Sequence, residues 1–539
     1  MTEIYTVCAE EKVLIDKKPG MIEKENTMAR DETLSFQVAY KVEWLQKEIE
    51  VKIESPIKKY ISVRQVEYVP CTTPTIGKTD DYYLTKKPFF CPDVLCSCKS
   101  RKPTARLGNY NSLWFTVKGD LIPGKYPIEI SLEQNGFVIG KTEYTVTVLD
   151  FYLGESELIY TNWFHYDSIS NYYNLKVFSP SYNKIMYNFI SSAVRHGMNM
   201  LLVPMFTPPL DTRPGGERLT VQLVDVKKTD KGYEFNLERL VSFMKKAQSL
   251  GIKYFEMSHL FTQWGAKFAP KIIADVNGKK KRIFGWDTPA LGEEYKGFLS
   301  EFLPYLVKVL KEEGLYSLCR FHISDEPNEQ CIENYKQAWS IFKRYAPDAP
   351  IMDALSHYEF YKQGLVDYAI SSTAHIQPFL DNKTPDLWAY YCCAETHSYL
   401  SNRYMSMPGE RIRVIGMQMY LNGIKGFLHW GYNFYNSVLS DEAVDPYLIT
   451  DCGGGLQSGD AFCVYPGKNG AIDSARFENF YDAIQDYKLF MRLEKKIGRE
   501  MTERLLTENG FEKNFTTYPH SVKALKKIRR LAQKELINH

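Results

Sequence analysis

Residues 33–150 carry an alternation of apolar and polar side chains that predicts short β-strands. Apolar side chains take every second position from Phe36 through Val42 to Trp44, and the same pattern returns three more times. The alternating runs are 36–44, 49–53, 126–132 and 144–148. A period of two places these side chains on one buried face of a sheet. Many short strands at such spacing favour a β-sandwich, and the stretch 71–111 between them is predicted as a long irregular loop.

From about residue 155 onward, short apolar runs alternate with stretches of helical periodicity. Leu237, Leu240, Met244 and Ala247, for example, fall on one face of a predicted helix. The eight apolar runs are 158–164, 199–204, 254–260, 318–324, 351–356, 368–373, 387–392 and 426–433. Strands that alternate with helices indicate parallel βαβ units, and eight of them predict a (β/α)8 barrel of the TIM type.

Three domains follow from these patterns. Residues 1–152 are predicted as an N-terminal β-sandwich, 153–498 as the (β/α)8 barrel and 499–539 as a C-terminal helical extension. The extension is basic, but its apolar residues fall on one helical face. We therefore expect it to close one end of the molecule rather than to bind nucleic acid.

Composition narrows the classes of function. The 539 residues hold 67 Lys and Arg against 65 Asp and Glu, so no basic surface for nucleic acid and no acidic tail is expected. No run approaches the ~18 apolar residues of a membrane span, and we expect no membrane partner. Charged residues occupy 10–12, where a signal peptide needs an apolar core. This predicts a cytoplasmic protein, with export after removal of a signal peptide as the alternative.

The most informative charged residues directly follow the fourth predicted strand of the barrel. The run 318–324 leads into Asp325, Glu326 and Pro327. Active sites of such barrels lie where the strands end at the carboxyl face. The period of two aims Glu326 at the barrel mouth, and Asp325 joins it only if the chain turns there. Two neighbouring carboxyls at that place suit general acid catalysis, because burial and a charged neighbour can keep one of them neutral. The competing interpretation is an acidic helix start.

Longer segments decide between these interpretations. His322-Ile323-Ser324-Asp325-Glu326-Pro327 after an apolar strand resembles glycoside hydrolase family 123 and its related uncharacterised barrel proteins. The further segments that resemble this family are 256–265, 390–393, 401–403, 426–434, 459–467 and 485–487. They occur in the family's order from about residue 255 to 487, and the β-rich first third agrees with the N-terminal sandwich of such proteins.

The resemblance implies an exo-acting, retaining β-N-acetylgalactosaminidase in which the 2-acetamido oxygen of the substrate is the nucleophile. Substrate assistance of this kind is an exception to the two-carboxylate scheme. By the same resemblance, Asp325 holds the acetamide N–H and stabilises the oxazolinium ion. Glu326 protonates the leaving oxygen and then deprotonates water. The expected partner is a carbohydrate with a terminal β-GalNAc, and no cofactor is expected.

Other side chains at predicted strand ends are candidates for sugar binding. Aromatic faces stack on sugars, and His, Asn and Glu hydrogen-bond hydroxyls, although each can equally be a core residue. The candidates are Trp163, His165, Glu256, His259, His322, Trp388, Tyr390, Trp430, Tyr432 and Asn433. Trp264 is expected to line the pocket or brace its rim.

We expect no metal site. Cys91, Cys96 and Cys98, with Cys71 upstream, do not have a usual zinc spacing. The pair Cys392-Cys393 is interpreted as packing inside a strand.

Two alternatives to the proposed activity stay open. The chain could be a glycoside hydrolase of the same fold that acts on a different sugar. It could also be a catalytically silent carbohydrate-binding protein, although binding alone does not require Asp325 and Glu326.

Overall fold

The computed structural model describes residues 3–43, 49–98 and 102–538. Its N-terminal region is rich in β-structure. The strands of this region are β1 (Glu3–Cys8), β2 (Glu25–Ala29), β3 (Thr33–Lys41), β4 (Glu50–Glu54), β5 (Ile61–Cys71), β6 (Phe89–Ser97), β7 (Tyr110–Lys118), β8 (Gly124–Gln134) and β9 (Phe137–Leu149). One sheet has the order β1-β3-β7-β5-β6 and the other the order β2-β9-β8-β4.

These two sheets share a buried apolar core. Phe36 of β3 stacks on Phe115 of β7 in its own sheet and on Tyr144 of β9 in the other, with ring centroids 5.0 and 3.8 Å apart. The even-numbered apolar residues from Phe36 to Val42 are buried, as the alternation predicts. Trp44, the last position of that run, lies outside the described residues.

The prediction of an unbroken irregular loop over 71–111 is wrong in part. Strand β6 lies within it, paired antiparallel with β5, and β7 begins before its end. Residues 91–95 are buried at every position, not at every second one. Pro92 and Asp93 interrupt the apolar residues of this strand, so neither an alternation nor an apolar run marks it.

The rest of the chain alternates strands and helices. Its strands are β10 (Ile159–Asn162), β11 (Met200–Val203), β12 (Asp225–Thr229), β13 (Gly232–Asn236), β14 (Tyr254–Met257), β15 (Ile272–Val276), β16 (Lys279–Phe284), β17 (Cys319–Phe321), β18 (Met352–Leu355), β19 (Tyr368–Ser372), β20 (Trp388–Tyr390), β21 (Gly426–His429), β22 (Val464–Gly467) and β23 (Gly470–Asp473). Its helices are α1 (Tyr166–Tyr173), α2 (Pro180–Arg195), α3 (Glu238–Ser249), α4 (Glu293–Glu312), α5 (Ile332–Tyr345), α6 (Tyr358–Lys362), α7 (Gln377–Asp381), α8 (Gly409–Arg413), α9 (Ile415–Leu421), α10 (Ala475–Ile497), α11 (Arg499–Thr507) and α12 (Val522–Asn538). None of the described helices is both long and apolar enough to cross a bilayer.

Eight of these strands pair only with parallel neighbours, and each lies in one of the eight predicted apolar runs. Five form a sheet in the order β10-β21-β20-β19-β18, and three form a second sheet in the order β11-β14-β17. A parallel bridge between Phe321 and Ile351 joins the sheets at one side. At the other side, the Asn199 amide donates to the Tyr160 carbonyl over 3.1 Å. The fold is thus mixed α/β, but one closed ladder around all eight strands is not shown.

A small additional sheet was not predicted. Strands β12, β13, β15 and β16 form a four-stranded sheet outside the eight parallel strands. The first four residues of β16, Lys279 to Arg282, are exposed. Such a solvent-facing strand has little hydrophobic pattern from which it could be predicted.

Buried ion pairs connect the ends of the chain to the middle. Arg413 of α8 contacts Asp486 of α10 and Glu10 of the N-terminal region, and Arg529 of α12 contacts both Asp486 and Glu32. All five side chains are at least nine-tenths buried. The basic residue Arg529 therefore neutralises internal carboxylates, which agrees with an α12 that closes the molecule.

The segment between β5 and β6 reaches across to the parallel strands. Thr72 and Thr73 donate to the Asp451 carboxylate over 2.6 Å each, and Arg411 forms a two-bond ion pair with Asp80 at 2.8 Å. This bracing segment, residues 72–83, is thus fixed to helix α8 and to the loop that contains Asp451, both more than 300 residues further along the chain.

Replacing Gly416 by alanine should destabilise the protein strongly. Gly416 lies in α9, and a Cβ there would be 1.9 Å from the Ala483 carbonyl oxygen of α10. Because that obstacle is backbone, the two helices must separate, at a cost of about 1–3 kcal/mol or more. The matched control is Gly297→Ala in α4, where a Cβ meets nothing within 4 Å and a gain of about 0.4–1 kcal/mol is expected. Equal thermal midpoints for the two variants would contradict the packing of α9 on α10.

Candidate functional site

A cleft opens where the parallel strands end at their carboxyl edge. It encloses a cavity of about 210 Å³. This central cleft is lined by Trp163, Asp211, Trp264, Asp325, Glu326, Ala354, Tyr390, Cys392, Cys393, Leu428, Trp430, Phe434, Val438, Leu439 and Leu456.

Asp325 and Glu326 both reach the central cleft because the chain turns between them. Glu326 has a φ of +41°, a left-handed conformation that a non-glycine residue adopts only at a cost. Its amide donates to the Ala354 carbonyl at 3.1 Å, and the Asp325 carbonyl accepts from the Trp264 amide at 2.9 Å. The turn that the period of two required is therefore present, and backbone hydrogen bonds hold it.

The two carboxyls have different surroundings. The Tyr390 hydroxyl donates to Glu326 Oε1 at 2.7 Å and fixes that side chain. No hydrogen bond from another described residue reaches the Asp325 carboxyl. Burial raises the pKa of Asp325 well above its usual range, and the nearby Glu326, Asp211 and Asp353 raise it further, while His322 opposes them. A single proton held by this pair of carboxyls keeps two negative charges from lying side by side.

A buried network lies directly beneath this pair. His322 Nδ1 is 2.9 Å from Asp353 Oδ1, and His322 Nε2 is 3.0 Å from Glu256 Oε2. Asp353 Oδ2 also accepts from the amides of Ile323 and Ser324 at 3.0 and 3.3 Å. Since these two residues immediately precede Asp325, the network fixes the backbone from which the carboxyl pair projects.

The charge of His322 should make the stability of the protein depend on pH. Burial lowers the pKa of His322, but hydrogen bonds and charges of Asp353 and Glu256 outweigh it and raise the pKa to about 9. Because the pKa of His322 is higher in the folded state than the unfolded value of 6.5, the protonated ring stabilises the fold fully below pH 6.5. This contribution is lost as the pH rises through 9. The contribution is of the order of 3 kcal/mol.

We therefore expect the gap in thermal midpoint between the wild type and His322→Asn to shrink from pH 6 to pH 9.5. The exposed His375 provides the control, because His375→Asn should leave the midpoint nearly unchanged at every pH. A gap that grows with pH would show that His322 is neutral in the fold.

His259 lies beside this network without hydrogen bonds of its own among the described residues. Its ring stacks on that of His322, with centroids 4.2 Å apart, and both of its nitrogens are buried and unpaired. His259, His322 and Asp353 place donor atoms within 4.8 Å of one another, as a metal ion would require. However, both nitrogens of His322 already face carboxylates, so an ion there would have to replace a proton.

The predicted sugar-binding residues divide into two groups. Trp163, Tyr390 and Trp430 line the central cleft. Glu256, His259 and His322 are buried below it, as are four others. Those four are His165, Trp388, Tyr432 and Asn433.

Protein contacts account for most of the buried group. His165 Nε2 is 2.8 Å from the Trp430 carbonyl, and Asn433 bonds the backbone of His165 through both its oxygen and its nitrogen. The Tyr432 hydroxyl donates to the Phe189 carbonyl at 2.9 Å. Trp388 packs against Gly426. A Cβ on residue 426 would lie 2.0 Å from the indole of Trp388. These side chains support the cleft wall instead of forming its surface.

Several cleft residues were missed or misjudged. Cys392 and Cys393 lie beyond the end of β20, where the chain turns and both reach the central cleft. Cys393 is exposed, so the interpretation of this pair as packing inside a strand is wrong. Asp211 was not considered, because it follows β11 by several residues and no periodicity places it. Trp264 does line the cleft, as one of its two expected roles required.

Comparisons with known proteins identify the family. The family model for the glycoside hydrolase 123 catalytic domain matches residues 163–493, more than half of the chain. The chain therefore belongs to glycoside hydrolase family 123, and it is a glycoside hydrolase. This confirms the resemblance stated from the sequence motifs.

Solved structures agree on the fold. The chain is similar to a family 123 glycoside hydrolase from Clostridium perfringens, which was studied for glycolipid glycan hydrolysis. The TM-score is 0.74 at 12% identity, with 100% of this chain and 98% of the other covered. A family 39 glycoside hydrolase from Bacteroides cellulosilyticus WH2 gives a TM-score of only 0.35 at 10% identity, over 86% of this chain and 81% of the other. This similarity is too low to support a conclusion. No curated protein sequence matches the chain significantly.

Proposed function

We propose that this glycoside hydrolase is a retaining, substrate-assisted exo-β-N-acetylgalactosaminidase or hexosaminidase that removes terminal 2-acetamido sugars. The observation that carries the proposal is the turn at Glu326, which brings two consecutive carboxyls into one cleft. Carboxyls on consecutive residues suit two tasks at neighbouring positions of one sugar, the leaving oxygen on C1 and the acetamide on C2. A retaining enzyme with its own nucleophile instead places its two carboxyls ~5 Å apart on either side of the anomeric carbon.

In the proposed reaction, the acetamido oxygen attacks the anomeric carbon while the bond to the leaving oxygen breaks. Asp325 accepts a hydrogen bond from the acetamide N–H and stabilises the positive charge of the oxazolinium ring. Glu326, held by the Tyr390 hydroxyl, gives its proton to the leaving oxygen. It then removes a proton from the water that opens the ring, so two inversions retain the configuration.

The cleft walls support a sugar ligand. Trp163, Trp264, Tyr390 and Trp430 provide aromatic surface around the two carboxyls. We propose that one or more of these rings stack on the apolar face of the sugar, an arrangement in which an aromatic ring contributes a large contact area.

We extend the proposal to the organisation of the chain. The two parallel sheets would form one (β/α)8 barrel at residues 153–498, preceded by a β-sandwich domain at 1–152 and followed by the helical extension 499–539. The bridge between Phe321 and Ile351 and the contact between Asn199 and Tyr160 support this arrangement, since they join the sheets at both sides. The cytoplasmic location stays a prediction from the sequence.

A panel of aryl glycosides tests the activity. We expect hydrolysis of 4-nitrophenyl β-N-acetylgalactosaminide, with or without the glucosaminide, and no turnover of the plain β-galactoside. A thiazoline that mimics the oxazolinium ring should inhibit competitively, because it binds where the acetamide must bend. Hydrolysis of the plain galactoside without thiazoline inhibition would favour a different sugar specificity. Binding of N-acetylgalactosamine without any turnover would favour a silent carbohydrate-binding protein.

A further inference from the structure

The central cleft is acidic in a way that the proposed reaction does not use. Three carboxyls line it, those of Asp211, Asp325 and Glu326, and none of the described residues that line it is Lys, Arg or His. The reaction needs two of these carboxyls. Asp211, the third, comes from a different loop, which follows β11.

The backbone of Asp211 is held in an unusual conformation. Its φ is +45°, in the left-handed region that non-glycine residues seldom adopt. Its amide donates to Gln263 Oε1 at 2.7 Å, and its carbonyl accepts from the Ser440 hydroxyl at 2.7 Å. Strain of this kind persists where the surroundings impose it, and it occurs most often at ligand and active sites.

The Asp211 side chain has no partner of its own in the described part of the chain. No hydrogen bond or ion pair to its carboxyl oxygens is present among those residues. Arg218 is the nearby cation, but its guanidinium is bonded to both oxygens of Asp167 and to the Leu210 carbonyl. Burial raises the pKa of Asp211 to about 7, with Arg218 opposing and Glu326 adding to the effect. A partly buried carboxyl without a donor is costly, and a bound ligand with O–H donors would remove that cost.

We propose that Asp211 determines specificity by accepting hydrogen bonds from hydroxyl groups of the terminal sugar. A carboxylate can accept from two neighbouring hydroxyls at once. The same negative charge would exclude sugars that carry a sulfate or carboxylate group, since the cleft offers no cation to pair with them. This inference rests on the proposed function, because it assumes a sugar in the central cleft.

The test compares the wild type with Asp211→Asn on 4-nitrophenyl β-N-acetylgalactosaminide and on its 6-sulfate. Hydrogen bonds to a charged group are worth about 1.5–3 kcal/mol, so kcat/KM for the neutral sugar should fall ~10- to 150-fold. The ratio of kcat/KM for the neutral sugar to kcat/KM for the 6-sulfate should fall at least ~10-fold, because the variant lacks the negative charge of Asp211. Glu442→Gln is the matched control: this exposed residue near Ser440 lies outside the cleft lining, and both substrates should react within ~2-fold of the wild type.

Three results would overturn the inference. The first is an Asp211→Asn variant within ~2-fold of the wild type on both substrates. The second is a fall in kcat/KM for the neutral sugar with no change in the discrimination against the 6-sulfate. The third is covalent labelling of Asp211 by a 2-deoxy-2-fluoro glycoside, since Asp211 would then be a nucleophile and substrate assistance would fail as well.

If the wild type hydrolyses no glycoside, the proposed function fails, but the inference is still decided by binding. Calorimetric titration with N-acetylgalactosamine should then show at least ~10-fold weaker affinity for Asp211→Asn than for the wild type. Equal affinities, or no binding by either protein, would overturn it. A thermal midpoint of the variant close to that of the wild type confirms that the substitution leaves the fold intact.

Discussion

Replacing Glu326 by glutamine should lower kcat at least ~100-fold on substrates with poor leaving groups, such as oligosaccharides. Glutamine keeps the size of the side chain and can still bond Tyr390, but it has no proton to give to the leaving oxygen. General acid catalysis contributes about 10²–10⁴-fold. With a 2,4-dinitrophenyl leaving group, which departs without protonation, the loss in the first step should be much smaller. Steady-state kinetics on a series of aryl N-acetylgalactosaminides of rising leaving-group pKa measures this difference.

The control for Glu326→Gln is Glu329→Gln, three residues further along the chain. Glu329 is exposed and contacts His357 at 3.3 Å outside the central cleft, so its removal should leave kcat within ~2-fold. The general acid assignment would fail if Glu326→Gln slowed all leaving groups equally.

Replacing Asp325 by asparagine should instead slow every substrate, including those with good leaving groups. Asp325 is proposed to act on the acetamide group, so the loss concerns formation of the oxazolinium ring and not departure of the leaving group. Removing one group that stabilises developing charge typically costs about 10²–10³-fold in kcat. The measurement is again kcat over the aryl series. A plot of log kcat against leaving-group pKa should have nearly the same slope for Asp325→Asn as for the wild type.

Thiazoline affinity separates the roles of the two carboxyls further. Asp325→Asn should weaken inhibition by the thiazoline strongly, because its N–H or ring nitrogen loses a charged partner, whereas Glu326→Gln should change it less. Full activity of both variants on an aryl N-acetylgalactosaminide would refute the assignment of the pair.

Much of the fold could be predicted because apolar side chains recur along its strands, either at every second position or in short unbroken runs. The alternation at 36–42 and the eight apolar runs each correspond to strands of the structure. The strands that escaped prediction lack both patterns. Pro92 and Asp93 interrupt the apolar residues of β6, and β16 begins with four exposed cationic side chains. Whether the eight strands close into one barrel depends on contacts between distant segments, which no local period records.

The site was predictable only where a side chain lies at or just after the end of a strand. Asp325 and Glu326 follow β17 within five residues and Tyr390 ends β20, and all three line the central cleft. Trp388 and Tyr432 were also predicted from their places at strand ends, but Trp388 fills the space beside Gly426 and the Tyr432 hydroxyl bonds the Phe189 carbonyl. Asp211 depends on a loop conformation held by Gln263, whose side chain accepts from the Asp211 amide across 52 residues of sequence.

The bracing segment 72–83 has a consequence for how the protein can be divided. It leaves the β-rich region and fixes Asp451. Leu456, five residues after Asp451, lies in the wall of the central cleft. A chain cut before residue 153 would keep both proposed catalytic carboxyls yet lose the hydroxyl partners of Asp451 and the counter-ion of Arg411. The first third of the sequence therefore supports one wall of the central cleft from outside, and a shortened chain without it is expected to keep the two carboxyls but to lose that support.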